Sequence, residues 1–252
     1  MKLLTLARDL RRRKARERQG LFIAEGIRTV EELSRSSLEI RGLLTGPGLA
    51  DNSRGTALVE DLKAKGIPVD EVDHREFESA AETESPQGIL AVAVIPGGTL
   101  AELTPAESMR LLVLDAVQDP GNVGTILRTA AALGASATFS LPGTVDLWNS
   151  KVVRSAMGAH FHHPCFSGTW DDLDTFRRAH GLAIWAADAS GESIEAQAAP
   201  LRLGLVVGNE GGGLSTQTRD RADKLVALPI ASTVESLNVA VAAGILLYEL
   251  RR

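Results

Sequence analysis

The sequence predicts an α/β protein whose C-terminal half holds a parallel sheet, preceded by a smaller α/β domain. Three observations predict this class. The segments 111–114 (LLVL) and 203–207 (LGLVV) are apolar throughout, which is typical of strands covered by helices on both faces. Between such segments lie stretches with apolar residues at helical spacing. Pro and Gly residues over 95–108 separate two differently organised halves, so we predict domains over 1–97 and 107–252 with a linker over 98–106.

Apolar and β-branched runs predict the strands in order, and apolar residues three or four apart predict the helices. The first half begins with a basic helix, followed by strands over 22–25, 38–44, 67–72 and 88–94 and helices over 27–34 and 56–65. In the second half, strands over 110–114, 136–140, 182–187, 203–207 and 224–228 alternate with helices over 123–133, 150–157, 171–179 and 235–250. Because ligands collect at the carboxyl ends of parallel strands, the loops at those ends are the candidate site.

Composition excludes several classes of protein. Hydrophobic residues make up 44% of the 252 residues and charged residues 23%, as in globular proteins. Cys165 is the single cysteine, so no intrachain disulfide can form. No apolar run is long enough to span a bilayer, and the basic N-terminus does not resemble a secretory signal. We therefore expect a cytoplasmic protein and exclude the membrane, disulfide-rich secreted and disordered classes.

The charge is concentrated at the N-terminus. Residues 1–20 hold eight Lys or Arg against Asp9 and Glu17, a net charge of +6. The whole chain carries −5, so residues 21–252 sum to −11. A basic arm on an acidic body favours contact with a polyanion, because phosphates attract Lys and Arg and counterions are released. The alternative is a helix that simply carries its charges in water.

The loop after strand 110–114 reads DAVQDPGNVG. The run from Asp119 to Asn122 predicts a sharp turn, and Asn122 is placed to cap a helix beginning at Val123. Arg128 follows six residues after Asn122, between Leu127 and small residues, where an unpaired charge would be costly. The alternative is an ordinary exposed helical arginine.

The loop after strand 203–207 reads GNEGGGLS and places four glycines in six positions. Such a loop indicates a special backbone conformation or the close approach of a ligand, and Glu210 in its middle is a candidate contact. It is neither a dinucleotide fingerprint nor a phosphate-binding loop, which disfavours a nucleotide-dependent enzyme. The alternative is a structural glycine turn.

The loop after strand 224–228 begins LPIASTVESLN. Pro229 and Ile230 end the strand, and Ser236 and Asn238 lie at the start of an alanine-rich helix. There they can cap the helix or present their side chains to a ligand.

Together these three motifs resemble those of the SpoU/TrmH group of the SPOUT superfamily. The resemblance lies in Asn122…Arg128, in the run 208–213 (GNEGGG), and in 228–241 with its Ser-Leu-Asn at 236–238; residues 145–159 also look like that group. Members are RNA ribose 2′-O-methyltransferases that use S-adenosylmethionine. The first half is similar, more loosely, to the substrate-binding domain that precedes the catalytic domain in many members.

The resemblance implies a C-terminal α/β trefoil-knot domain and a homodimer with its active site near the interface. The separate N-terminal domain favours ribosomal RNA over transfer RNA as the substrate. The alternatives are a transfer RNA methyltransferase and a non-catalytic RNA-binding protein of the same fold. By motif position the catalytic residues are Arg128, Asn122, Glu210, Ser236 and Asn238. The residues implied to bind S-adenosylmethionine are Gly208, Leu228, Ile230 and Leu237. The candidate RNA contacts are Arg11, Arg12, Arg13, Lys14, Lys151 and Arg154.

A metal site is not expected. His160, His162, His163 and Cys165 cluster in the run AHFHHPC, but their spacing matches no common zinc template and no second ligand pair follows. Cys165 as a nucleophile lacks a supporting His/Asn arrangement.

Overall fold

The structure, a computed structural model, describes residues 2–250. By contacts within the chain it divides into two compact units. The first contains the residues up to Gly97 together with Asp146–His162, and the second contains Gly98–Val145 together with the residues from His163 onward. Within residues 2–250, no helix is long and apolar enough to cross a membrane.

The α-helices of the described residues, numbered in chain order, are α1 (Leu3–Leu10), α2 (Arg13–Gln19), α3 (Ile27–Arg35), α4 (Ser53–Ala64), α5 (His74–Ala80), α6 (Pro120–Ala132), α7 (Ser150–Ser155), α8 (Trp170–His180), α9 (Thr216–Arg221) and α10 (Val239–Leu250). The strands are β1 (Leu21–Glu25), β2 (Ile40–Thr45), β3 (Val69–Glu71), β4 (Ile89–Val94), β5 (Met109–Leu114), β6 (Ala137–Ser140), β7 (Cys165–Ser167), β8 (Ala183–Ser193), β9 (Arg202–Val207) and β10 (Lys224–Ala227).

The first unit is built on a sheet with the strand order β1-β4-β2-β3. The pairs β1/β4 and β4/β2 are antiparallel, and β2/β3 is parallel. Helix α7 packs against β1, where the ring of Phe22 lies 4.6 Å from that of Trp148. Both side chains are buried, which explains why residues 146–162 group with this unit although they follow β6 in the chain.

A buried ion pair fixes α2 within the first unit. The guanidinium of Arg16, which is 3% exposed, donates to Asp146 Oδ2 at 2.6 and 2.7 Å and to the carbonyl of Leu10 at 2.8 Å. A buried arginine needs such partners, since an unpaired buried charge is costly. Arg16 is therefore structural, and the arm carrying it is part of the folded unit.

The second unit contains a parallel sheet with the order β10-β8-β9-β5-β6-β7, and all its strand pairs are parallel. The central strands β5 and β9 are almost entirely buried. The predicted α/β class with a parallel sheet is therefore confirmed. Helices and strands meet in a core of large apolar side chains that includes Leu111, Val113, Phe139, Leu173, Ile184 and Val206.

Several sequence predictions were wrong in detail. The basic N-terminal helix is two helices, because the backbone of Arg12 is extended and separates α1 from α2, which begins at Arg13. Sequence patterning missed α5, α9 and β7, which are seven, six and three residues long. Helix α6 begins at Pro120 and is capped by Asp119, so Asn122 is not its cap. Helix α10 begins at Val239 rather than 235, because its first N–H groups are capped from residue 238. The division of the chain into 1–97, 98–106 and 107–252 stays a prediction.

Candidate active site

A cleft of about 860 Å³ opens at the carboxyl ends of β8, β9 and β10 in the second unit. Its lining residues come mainly from three stretches at the carboxyl-terminal ends of these strands and beyond them, with Arg219 from α9 and Ala242 and Leu246 from α10. The stretches are 187–193, 207–213 and 226–239, of which the second is the glycine-rich loop. The geometry agrees with the general location of ligand sites in parallel sheets.

Asp115 anchors the far end of the glycine-rich loop to β5. Its carboxylate is 4% exposed and accepts hydrogen bonds from the backbone N–H of Ser215 at 2.7 Å and from Thr218 Oγ1 at 2.6 Å. Ser215 in turn caps α9 by accepting from the backbone N–H of Thr218. A buried carboxylate with two donors holds the start of α9 at a defined place relative to β5.

Asn209 closes the glycine-rich loop on itself. Its side-chain Oδ1 accepts from the backbone N–H groups of Gly211 and Gly212 at 2.9 and 2.8 Å, and its Nδ2 donates to the carbonyl of Ala116 at 2.8 Å. Ala116 has a positive φ of 57°, which is rare for a residue with a side chain. The strained backbone after β5 is thus held against the loop after β9.

Gly208 marks a position where the loop admits no side chain. A Cβ atom there would lie 2.5 Å from the backbone of Gly213, which itself has a φ of 65°. Gly211 and Gly212 differ, because added Cβ atoms would approach only Asn209 Oδ1, at 3.8 and 3.5 Å. Space therefore remains on that side of the loop for another molecule.

Glu210 joins the glycine-rich loop to the start of α6. Its carboxylate accepts hydrogen bonds from the backbone N–H groups of Gln118 and Asp119 at 3.2 and 3.1 Å and from Asn122 Nδ2 at 3.0 Å. Partial burial acts to raise the pKa of Glu210, but the hydrogen bonds from Asn122 and the backbone outweigh it and lower the pKa below its usual value. Glu210 is therefore ionised at neutral pH and acts as an acceptor.

Asn122 continues this chain to the third loop. While its Nδ2 donates to Glu210, its Oδ1 accepts from Asn238 Nδ2 at 3.0 Å. Asn238 Oδ1 then accepts from the backbone N–H of Ala240 at 2.9 Å and so caps α10. The side chains of Glu210, Asn122 and Asn238, which the sequence placed on three separate loops, form one hydrogen-bonded row.

Other predicted site residues lie at the cleft without joining that row. Gly208, Leu228, Ile230 and Leu237 all line the cleft. Ser236 lines it too; it is exposed, and its hydroxyl makes no hydrogen bond with the described part of the chain. Their roles stay predictions.

Arg128 is exposed on α6 and is not part of the cleft wall. Within residues 2–250 its guanidinium has neither a hydrogen bond nor an ion pair, so it is available to a partner outside this chain. Its surroundings are open to water, and the expected cost of an unpaired charge therefore does not arise.

Among the polar residues of the cleft region that sequence reasoning missed are Asp115, Asn209, Asp188 and Arg219. Asp115 and Asn209 follow β5 and β9 at their carboxyl ends, and that position was a usable signal. Asp188 lies within β8, and Arg219 lies on the short helix α9 that patterning did not detect. Asp188 and Arg219 both line the cleft.

The candidate RNA-contact residues lie in the first unit. Among the arm residues, Arg11 donates to the carbonyl of Ser79 at 3.2 Å, Arg12 pairs with Asp9, and Arg13 pairs with Glu17 at 2.7 Å. Arg12 and Arg13 nevertheless remain 75% and 63% exposed, and Lys14 is exposed as well.

On the segment that returns to the first unit, Lys151 is exposed and Arg154 is half-buried. The Nη1 atom of Arg154 is buried and has no hydrogen-bond partner within residues 2–250. The roles of both residues as RNA contacts stay predictions.

The histidines near Cys165 have structural surroundings. His163 Nε2 lies 2.8 Å from Thr138 Oγ1, and burial lowers the pKa of His163 to about 4, so the ring is neutral at physiological pH. Burial raises the pKa of Cys165, which disfavours a reactive thiolate. His160 stacks on Trp148 at 4.1 Å in the first unit. No group of three or more potential metal ligands occurs within residues 2–250.

Comparison with known proteins adds to this geometry. The profile of the SpoU rRNA methylase family matches residues 109–248, and that of the MRM3-like substrate-binding domain matches residues 5–91. A curated relative, 23S rRNA (guanosine(2553)-2′-O)-methyltransferase RlmP of Bacillus subtilis, is 35% identical over 97% of this chain and 94% of its own length.

Solved structures of methyltransferases superimpose on nearly the whole chain. The AdoMet-bound rRNA methyltransferase of Sinorhizobium meliloti matches with a TM-score of 0.85 and 28% identity, covering 99% of this chain and 94% of that one. The SpoU methyltransferase AviRb of Streptomyces viridochromogenes, in complex with AdoMet, matches with a TM-score of 0.86 and 26% identity, covering 100% of this chain and 97% of that one. With its three motif loops joined at one cleft and its family profile matched over most of the second unit, this chain belongs to the SpoU rRNA methylase family.

Proposed function

We propose that this chain is an S-adenosylmethionine-dependent methyltransferase that methylates a ribose 2′-hydroxyl of ribosomal RNA. The observation that carries the proposal is the hydrogen-bonded row of Glu210, Asn122 and Asn238 beside the cleft. It unites the three family motifs at the carboxyl ends of parallel strands. Two relatives that match nearly the whole chain are themselves named as rRNA methyltransferases.

The residues of the cleft fit S-adenosylmethionine. Its volume of about 860 Å³ accommodates a nucleoside with an amino-acid side arm. Leu228, Ile230 and Leu237 offer apolar contact to an adenine ring, and the loop at Gly208 offers backbone groups that no side chain covers. When bound, S-adenosylmethionine supplies an electrophilic methyl group. Two structural neighbours were solved with this cofactor.

The row of polar side chains orients the ribose rather than transferring its proton. Ionised Glu210 holds the amide of Asn122 in a single orientation, because its carboxylate can only accept and so takes the Nδ2 side. Asn238 is oriented in turn by Asn122 and by the helix N-terminus that it caps. Side chains fixed in this way need no reorganisation when a ribose arrives, which favours the in-line geometry of the transfer.

Arg128 supplies the positive charge for the substrate. An arginine is effectively always protonated, so its role is to bind a substrate phosphate and to stabilise the developing alkoxide, not to act as a base. The hydroxyl of Ser236, which makes no hydrogen bond within residues 2–250, contributes a further contact to the ribose. A phosphate oxygen or water then accepts the proton.

Ribosomal RNA is favoured over transfer RNA by the first unit. The MRM3-like substrate-binding profile covers residues 5–91, and the Bacillus subtilis relative, named for 23S rRNA, matches over both units. Exposed Arg12, Arg13 and Lys14 are the proposed phosphate contacts of the arm, and Arg11, Lys151 and Arg154 are proposed as further RNA contacts. The bacterial relative also supports a cytoplasmic location, which cell fractionation tests.

A homodimer is supported by one face of α10. Val241, Ile245 and Tyr248 lie four and three residues apart along the helix and are 51%, 41% and 42% exposed. Residues at this spacing share one face of a helix, and a contiguous exposed apolar stripe is typical of an interface. We assign this stripe to contact with a second copy, because the family resemblance implies a dimer with the active site near the interface.

The trefoil knot is proposed on the same resemblance. After β10 at one edge of the sheet, the chain returns to its centre, where α10 packs against α6 and β9. This return path supports threading of the C-terminal segment through a preceding loop.

Methyl transfer with an Arg128→Ala variant tests the proposed reaction. Labelled S-adenosylmethionine is incubated with fractionated bacterial RNA, which is then digested to nucleosides. We expect label in a 2′-O-methylated nucleoside of ribosomal RNA with the wild-type protein. Arg128→Ala removes the cation proposed to stabilise the developing alkoxide, so it should lower the rate about a hundredfold or more. The melting temperature should not change, because Arg128 is exposed and unpaired within the described residues.

Arg178→Ala, which changes an exposed arginine of α8, is the control and retains full activity. Label found only in transfer RNA would favour that alternative substrate. An absence of label despite RNA binding would favour the non-catalytic alternative, and retained activity in Arg128→Ala would contradict the role of Arg128.

The basic arm is tested by charge removal rather than by deletion, because Ala7, Leu10, Ala15 and Arg16 are buried. We expect the combined Arg12→Gln, Arg13→Gln and Lys14→Gln variant to bind ribosomal RNA more weakly. The slope of log affinity against log salt should become shallower by about 2 to 3, since each lost phosphate contact reduces the steepness of the slope by roughly 0.7 to 0.9. The same triple change at exposed Lys63, Lys65 and Arg75 is the control, and an equal effect of both variants would argue against a specific arm contact.

The dimer is tested with Ile245→Glu. A charge in the middle of the apolar stripe is costly to bury, so this variant should sediment as a monomer where the wild type sediments as a dimer. Leu201→Glu, at a 65% exposed leucine outside the stripe, should leave the dimer intact. A wild-type protein that sediments as a monomer at micromolar concentration would contradict the proposal.

A further inference from the structure

The cleft contains a charged pair that none of the family motifs includes. Arg219 Nη2 lies 2.5 Å from Asp188 Oδ2, and both residues belong to the cleft wall. Among the described residues that line the cleft, Arg219 is the one cation; the charged remainder are the carboxylates of Asp188, Glu210 and Glu235. A single guanidinium in a site of this kind indicates recognition of an anionic group.

The carboxylate of Asp188 is held in place from its other side. Its Oδ1 accepts from the backbone N–H of Ser190 at 2.9 Å and from Ser190 Oγ at 2.6 Å, and the side chain is only 11% exposed. Partial burial acts to raise the pKa of Asp188, but the hydrogen bonds from Ser190 and the ion pair with Arg219 lower it overall. Asp188 is therefore a fixed anion that determines where the guanidinium lies.

Arg219 is also anchored through its backbone. It stands on α9, which Ser215 caps and whose Thr218 donates to the buried Asp115. The guanidinium therefore lies close to the glycine-rich loop, with Nη2 3.9 Å from the position of a Cβ atom on Gly213. With an exposed fraction of 41%, and with its Nε and Nη1 unused by the described residues, it retains donors for a ligand.

The cofactor of the proposed function has a group that matches these donors. S-adenosylmethionine carries one carboxylate, on its amino-acid end, together with an ammonium and a sulfonium. A planar guanidinium pairs with a carboxylate through two parallel hydrogen bonds. Because Asp188 neutralises Arg219, the pair offers directional donors without a net positive charge that would repel the cofactor's two cationic groups.

We infer that Arg219, oriented by Asp188, binds the carboxylate of the amino-acid end of the cofactor. This inference rests on the proposed function and extends it to residues outside the three motifs. The pair thereby distinguishes a nucleoside that carries the amino acid from one that lacks it. Arg219 is a binding residue, and Asp188 is a positioning residue that acts through it.

Two ligands that differ only at this end provide the test. S-adenosylhomocysteine contains the amino acid, whereas 5′-methylthioadenosine contains the same adenosine and thioether without it. Titration calorimetry measures the affinity of each ligand for the wild type, Arg219→Gln and Arg219→Lys. The control is Arg221→Gln, on the same helix but paired with Asp171 and Asp174 outside the cleft wall.

We expect Arg219→Gln to lower the affinity for S-adenosylhomocysteine about 10-fold or more, while the affinity for 5′-methylthioadenosine changes less than twofold. Arg219→Lys should recover part of the loss, because it restores the charge but not the fork, and Arg221→Gln should change neither affinity. Binding of 5′-methylthioadenosine also reports that the variants keep a folded cleft.

Other outcomes overturn the inference. Equal weakening of both ligands would make Arg219 a structural residue of the loop. Unchanged affinity for both, with weaker RNA binding, would assign the guanidinium to an RNA phosphate instead. A wild-type protein that binds neither ligand would contradict the proposed function itself, and this inference with it.

Discussion

The carboxylate of Glu210 is the contact on which the candidate site depends. It accepts from two backbone N–H groups at the start of α6 and from the side chain of Asn122, and through Asn122 it fixes Asn238. Hydrogen bonds to a charged acceptor are stronger than those to a neutral one, and solvent around the exposed Glu210 reduces what each contributes. Their common acceptor means that the three loops hold one arrangement relative to each other, and a change in any of them affects the others.

The parallel sheet makes this arrangement possible. Its central strands β5 and β9 are neighbours, so the loops that follow them emerge side by side at the same edge. Asp115 and Asn209 then lock these loops with buried or backbone-directed hydrogen bonds that do not involve Glu210. The positive φ of Ala116 is held by this second set of contacts. The fold thus provides a rigid base, and Glu210 aligns polar side chains on it.

The sequence predicted the class of fold and the loops better than the contacts between them. Apolar runs such as 203–207 fall on observed strands because buried parallel strands cannot be polar on either face. Short elements such as α9 were not detected, since six residues are too few to show a helical period of apolar residues. Arg219 was missed with it. Asn122 was expected to cap a helix, but Asp119 does so and leaves the Asn122 amide free for Glu210. Such pairings depend on residues about 90 positions apart in the chain, which no local pattern reports.

The most direct test of the account is the rate of methyl transfer measured for Glu210→Gln under single-turnover conditions, together with its affinity for S-adenosylhomocysteine. A glutamine keeps only one of the two acceptor oxygens, and its Nε2 donor must then face either the N–H of Gln118 or the donors of Asp119 and Asn122. We therefore expect the rate constant to fall about a hundredfold while the affinity changes only a few-fold. Glu195→Gln, at an exposed glutamate outside the cleft wall, is the matched control. A Glu210→Gln rate within threefold of the wild type would show that the carboxylate does not organise the site.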